Sequence, residues 1–241
     1  MADPLKQFEI KPLIPLEIAG YDVSFTNSAM WMAIAVVTSL VFFLIATRKP
    51  QMVPGRAQVF AESMYEFIAG MVRDNIGSKG REYFPLIFTI FVVVLMGNML
   101  GMIPYSFTYT SHIAVTMGLA LAIFIFVTIL GFVKHGTHFF SLFCPEGVPW
   151  ALKPLIIPIE VLSYLIRPVT LSVRLFANMM AGHLMLKVFA GFSVAMGVGL
   201  GIVPMFFNVA LIGFEFLIAF LQAYVFTILS CIYLKDAIEL H

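Results

Sequence analysis

One stretch of chain, residues 149–192, carries Glu160, Ser163, Arg167, Thr170, Arg174, Asn178 and Gly182/His183 at steps of three to five residues in apolar surroundings. On an α-helix that spacing keeps one face polar, apart from a slow drift around the axis. A second apolar stretch, 204–234, repeats the device with Asn208, Glu215 and Gln222, each seven residues from the next and so on one face. An ionisable side chain inside an apolar span costs from about 2.5 to more than 10 kcal/mol, so it faces protein or water and marks an ion path. Hydrogen bonding between helices, worth about 1 kcal/mol, is an equal alternative to a channel role for Asn208, Ser163 and Thr170. For Glu160, Arg174, His183 and Glu215 it is not, because three charges and an imidazole are a costly way to glue helices. Arg167 and Lys187 can both reach an aqueous edge by snorkelling.

The chemistry these residue types support is proton exchange. An unperturbed imidazole titrates at about pH 6.5, so a His183/Glu215 pair can pass a proton under physiological conditions. Arg174 keeps its proton and cannot relay one. If the two stretches pair as antiparallel helices, Arg174 with Gln222, His183 with Glu215 and Lys187 with Asn208 have nearly equal residue-number sums, so one register aligns all three pairs. Along an ideal helix Glu160 lies about 21 Å to one side of Arg174 and His183 about 13 Å to the other. The stripe thus has two arms around a fixed positive charge, and neither arm alone crosses a membrane.

The elements that must position these residues are set by composition. The 241 residues are 61% hydrophobic and 11% charged, with a mean hydropathy of +1.00. A soluble domain of that size cannot hide so much apolar surface, so the solvent is lipid. The expected fold is all-α and polytopic. A bilayer core needs roughly 20 apolar residues per crossing helix, which residues 29–47, 84–103 and 113–133 supply as the first three spans. Between the first two, Pro50 and Pro54 break the chain, and residues 55–80 set Phe60, Met64, Phe67, Ile68 and Met71 against Glu62, Glu66 and Arg73. That pattern predicts an amphipathic helix on the membrane surface. The regions 149–192 and 204–234 complete five crossings as two long helices, the first of about 60 Å, which must tilt steeply or break. Pro154, Pro158 and above all Pro168 are the expected points of bending. Gly191, Gly197, Gly199 and Gly201 predict a connecting loop between the two.

Six Lys or Arg between Arg48 and Arg81, against none from Pro104 to His112, place the first loop inside, hence the N-terminal segment 1–28 outside and the C-terminus inside. That first segment mixes acids and lysines with no apolar core, unlike a signal peptide. Cys144 and Cys231 match no metal or redox spacing and read as apolar thiols. His135 and His138, in an HGTH run, lack the HExxH and GxSxG contexts of an intramembrane enzyme and read as solvated interfacial histidines. No metal site, cofactor site or basic nucleic-acid surface is expected.

Three segments, LSVRLFANMMAGH from Leu171, LQAYVFTILSCIYL from Leu221 and GNMLGMIPYSFT from Gly97, closely resemble the most characteristic segments of subunit a of F-type ATP synthases. The likeness is specific over residues 95–112 and 155–236 and weak over the first 80. It implies a non-catalytic proton-channel subunit whose two offset half-channels serve the carboxylates of a rotating c ring, beside b-type stalk subunits and the rest of the complex. By that resemblance Arg174, faced by Gln222, is the proton gate. Asn178, His183, Glu215 and Asn208 line the outer half-channel, and Glu160, Ser163 and Thr170 the inner one. Some bacterial members carry an acid where this chain has His183 and a histidine where it has Glu215, so the order here resembles the alpha-proteobacterial or mitochondrial one. The implied membrane is the bacterial inner membrane or, alternatively, the mitochondrial inner membrane. A self-contained proton-coupled secondary transporter is the competing expectation, weakened by the lack of two repeated halves.

Overall fold

The computed structural model describes residues 8–15, 17–18, 21–22, 24–48, 51–103, 106–143 and 152–239. It is an all-α polytopic membrane protein, with five helical runs long and apolar enough to cross a bilayer. Before the first of them, two tiny antiparallel pairs nest as a hairpin, β1 (Pro12–Ile14) with β4 (Phe25–Thr26) and β2 (Glu17–Ile18) with β3 (Tyr21–Asp22). Asn27 pins this hairpin to the start of α1 (Asn27–Thr47), accepting from the Lys11 amide at 3.2 Å and donating to the Glu9 carbonyl at 3.1 Å. Thr26 caps the helix through the Ala29 amide, satisfying one of the free donors of its first turn. Along α1, Val36, Val37, Leu40, Val41, Leu44 and Ile45 are exposed, as suits a helix whose solvent is lipid.

Helix α2 (Arg56–Ile76) continues through a 3₁₀ turn (Gly77–Tyr83) into α3 (Phe84–Gly101). The α-helical part of the expected 55–80 element therefore ends at Ile76, where Gly77 takes φ 77°, a conformation that suits glycine. The apolar stripe of α2 is also divided in a way its periodicity does not reveal. Met64, Ile68 and Met71 enter the protein core with residues of α3 and α7, whereas Phe60 and Phe67 remain exposed. The charged face, Glu62, Glu66 and Arg73, is exposed as the pattern requires.

Helix α4 (Ile113–His135) leads into a 3₁₀ segment (Gly136–Phe143) that folds back, with Phe139 lying where a side chain at Gly131 would otherwise sit. His135 differs from its sequence reading. Rather than being solvated, it is half-buried and lies 3.2 Å from the Ile238 carbonyl, tying α4 to the last turn of the chain. His138 is exposed. Cys144 lies outside the described residues.

Helix α5 (Lys153–Ala195) is unbroken over 43 residues, passing through Pro158 and Pro168. Residues 149–151, the expected start, lie outside the described residues. At 1.5 Å per residue α5 is about 65 Å long, twice the thickness of the hydrocarbon, so it runs obliquely or projects beyond it. The expected glycine loop is nearly absent. Gly191 is inside α5, and one turn, α6 (Gly197–Leu200), with Gly197 at φ 72°, reverses the chain into α7 (Ile202–Ile238). Short reversal makes α5 and α7 antiparallel neighbours, and α7 also packs on α3 and α4.

Close packing along α7 has a visible cause. Ala219, Ala223, Thr227 and Cys231, one every four residues, are all fully buried, and such a row of small side chains lets helix backbones approach closely in lipid. Cys231 is therefore a packing residue of this row. The opposite sides of α5 and α7 are bare: Leu162, Leu165, Ile166, Val169 and Val173, and Phe214, Leu217 and Leu221, are exposed.

Candidate functional site

Glu215 stands one turn before Ala219 on the buried row of α7 and is only 3% exposed. Room for it is made by Gly182 of α5, where an added Cβ would lie 2.7 Å from Glu215 Oε1. The next residue, His183, brings Nδ1 to 2.5 Å from the same oxygen. Met179, one turn earlier, offers its carbonyl to Nδ1 at 3.0 Å, and neither carboxylate oxygen makes an aligned hydrogen bond to any described residue, so the contact with His183 is a close approach. A buried carboxylate against one titratable neighbour is an arrangement that can exchange a proton. Of the three pairs aligned by the helix register, this one is in contact.

The far side of the His183 ring is built by a segment that the polar stripes do not include. Gly101 closes α3, where the last carbonyls have no helical partner. Its carbonyl accepts from Ser106 Oγ at 3.0 Å and Thr108 Oγ1 at 3.1 Å, and lies 2.9 Å from His183 Nε2. Thr108 Oγ1 is also 2.9 Å from Nε2. Gly101 lacks a side chain for a packing reason, since a Cβ there would meet Thr108 Cγ2 at 2.5 Å. Gly97 similarly leaves space for the Tyr109 ring. One turn along α7, Asn98 is fully buried and donates to the Ala219 carbonyl at 3.2 Å, anchoring α3 beside Glu215.

Arg174 is placed quite differently. It is exposed, on the bare side of α5, and forms no ion pair or hydrogen bond among the described residues. Gln222 is half-buried on α7 and is not bonded to it. Asn178 is half-buried without a partner, and Asn208 has a buried Oδ1 that no described residue satisfies. Lys187 is exposed and not joined to Asn208. On the other arm Glu160 is half-buried and Ser163 exposed, neither with a partner among the described residues, while Thr170 donates to the Arg167 carbonyl of its own helix at 3.0 Å.

Arg167 does more than snorkel. Its Nη1 donates to Asp236 Oδ2 of α7 at 2.8 Å, and its guanidinium lies over the rings of Tyr164 at 5.6 Å and Tyr233 at 5.3 Å. Tyr164 Oη is in turn 2.8 Å from Thr128 Oγ1 of α4. Asp236 was not legible from the α5–α7 register, which sets Leu229 opposite Arg167 and leaves Asp236 further along α7. Thr108, Gly101 and Asn98 could have been found only through the GNMLGMIPYSFT segment, because they share no helical period with the stripes.

Comparison with known proteins agrees with this architecture. The family described as ATP synthase A chain matches residues 29–235. ATP synthase subunit a of Rhodospirillum rubrum is 57% identical over 241 residues, covering all of both chains. The subunit a proteins of Paramagnetospirillum magneticum and Parvibaculum lavamentivorans are 52% and 55% identical, the first over the whole of both chains and the second over 98% of this chain and 94% of its own. On a match of this extent, the chain belongs to the family of subunit a of F-type ATP synthases.

Proposed function

We propose that this chain translocates protons in the membrane sector of a bacterial inner-membrane ATP synthase, as the stationary partner of a c ring and a neighbour of b-type stalk subunits. It carries no nucleotide chemistry of its own. The observation that carries the reading is Arg174, a guanidinium without an ion pair or hydrogen bond among the described residues, on the exposed apolar side of a membrane helix. Lipid cannot cover such a charge at tolerable cost, so another protein must, and a carboxylate on a passing rotor subunit supplies the missing counter-charge. Arg174, with Gln222 beside it, is then the gate that each carboxylate meets. Asn178, His183, Glu215 and Asn208 form the half-channel on one side of it. Glu160, Ser163 and Thr170 form the half-channel on the other. Because the two arms are offset around the guanidinium, a proton crosses only by riding the ring. A potential worth about 2.3 kcal/mol per charge per 100 mV can then drive rotation.

The chain reconstituted alone into lipid vesicles should therefore pass protons no faster than protein-free vesicles, and co-assembly with the ring should create the flux. Proton or solute transport by the chain alone would replace this reading with a self-contained transporter. Orientation follows the positive charge of the loop between α1 and α3, with the N-terminus outside. Cysteine at Ser78 should be labelled by an impermeant maleimide only from the cytoplasmic face, and cysteine at Ala2 only from the other. Labelling of both from one face would reverse or break the five-crossing topology.

A further inference from the structure

We infer that Thr108 is a positioning residue for His183, holding its Nε2 proton so that Nδ1 alone exchanges with Glu215. The inference rests on the proposed half-channel role of that pair and assigns its working nitrogen.

Each polar neighbour of the ring restricts where hydrogens can go. The Gly101 carbonyl, 2.9 Å from Nε2, can only accept. Thr108 has a single hydroxyl hydrogen, which it directs at that same carbonyl over 3.1 Å, so its oxygen turns lone pairs toward Nε2 at 2.9 Å. Nε2 thus faces two fixed acceptors and holds its hydrogen, whereas Nδ1 faces one, the Met179 carbonyl at 3.0 Å, beside Glu215 Oε1, which can give or take a proton. An unprotonated Nε2 would oppose its lone pair to two oxygens with nothing to donate to it, while an unprotonated Nδ1 opposes only the Met179 carbonyl and accepts from the protonated Glu215. The only titratable group in contact with the ring among the described residues, Glu215, lies on the Nδ1 side.

The exchange this permits is balanced within the pair. A proton on Glu215 Oε1 passes to His183 Nδ1, the O–H bond breaks as the N–H bond forms, and carboxylic acid plus imidazole becomes carboxylate plus imidazolium. Net charge is zero before and after, which suits a site sealed from water. Nε2–H is retained throughout, so His183 is a side arm that takes and returns the proton of Glu215, and the ring is not a wire conducting from one nitrogen to the other.

Thr108 also packs its methyl group against Gly101, so packing and hydrogen bonding can be separated by substitution. Thr108→Val keeps the methyl and loses the hydroxyl; Thr108→Ser does the reverse. ATP-driven acidification is measured in vesicles bearing the full complex, normalised to the amount of ring retained by the chain, with His183→Ala as reference. Losing one hydrogen bond to a group that becomes charged should slow pumping about tenfold in Thr108→Val, while Thr108→Ser should retain most of it. Should the valine variant not assemble, Thr108→Ala takes its place and must pump well below Thr108→Ser. Normal pumping without the hydroxyl, or a serine variant as slow as valine, overturns the positioning role while leaving the half-channel intact. Normal pumping by His183→Ala overturns both.

Discussion

Replacing Arg174 by alanine should abolish ATP-driven proton pumping by the assembled complex while leaving passive proton leak unchanged or raised. A rotor carboxylate arriving from lipid is neutral, because ionised it would pay several kcal/mol of desolvation. Facing the guanidinium, it is favoured as the anion and releases its proton into the adjoining half-channel. Among the described residues no ion pair or hydrogen bond competes for that guanidinium. The same charge sits between the two polar arms and raises the barrier to a proton passing straight from one to the other. Removing it takes away both effects at once, which is why pumping and leak should move in opposite directions. Arg174→Lys should fail as well, because an ammonium lacks the reach and planar fork of a guanidinium and can lose its proton when buried. The measurement is ATP-driven acidification together with passive flux in vesicles holding fully assembled variants. Near-normal pumping by Arg174→Ala would reduce this residue to an expensive surface charge.

How much of this was readable beforehand depends on the range of the interaction. Periodicity on one helix assigns faces, and a short turn makes α5 and α7 antiparallel, so the contact of His183 with Glu215 follows from residue numbers alone. Polar stripes cannot tell which side of a helix meets protein and which meets a partner. His183 and Arg174 belong to one sequence pattern, yet the first is built into the core by α3 and α7 and the second points away from it. The same limit applied to α2, where Ile68 is buried while the adjacent Phe67, whose ring meets Phe91 of α3 and Phe220 and Tyr224 of α7, stays exposed at the edge of that packing. Thr108 escaped because its role comes from a helix-end carbonyl and an irregular segment, neither of which has a period to detect. Pro158 and Pro168 lie inside α5 without interrupting it. A lone missing hydrogen bond is tolerable where neighbouring helices hold the chain on course.

The Arg167–Asp236 pair supplies the second large expected effect, on assembly and coupling. Helix α5 is mostly bare around Arg174, so the pull of a passing rotor must be resisted by its contacts with the rest of the chain on either side of that residue along the helix. Toward one end those are His183 with Glu215 and Gly101; toward the other is Arg167, seven residues or about 10 Å from Arg174, clamped to α7 by Asp236 and flanked by Tyr164 and Tyr233. The two side chains are 26% and 33% exposed, so the pair is partly desolvated. Deleting one partner strands a charge and should cost about 2 kcal/mol, below the 3–5 of a fully buried pair. Asp236→Ala and Arg167→Ala should therefore lower the temperature at which the chain dissociates from the complex, and should slow pumping per assembled complex. Arg167→Lys should recover only part of the loss, because an ammonium keeps the charge but not the planar stacking on two tyrosines. Exchanging the two residues, Arg167→Asp with Asp236→Arg, should recover more than either single change, since the attraction survives reversal while the stacking does not. If instead Arg167 merely reaches for water, Asp236→Ala will match the unsubstituted chain in both dissociation temperature and pumping, and the clamp is not what holds α5 against the rotor.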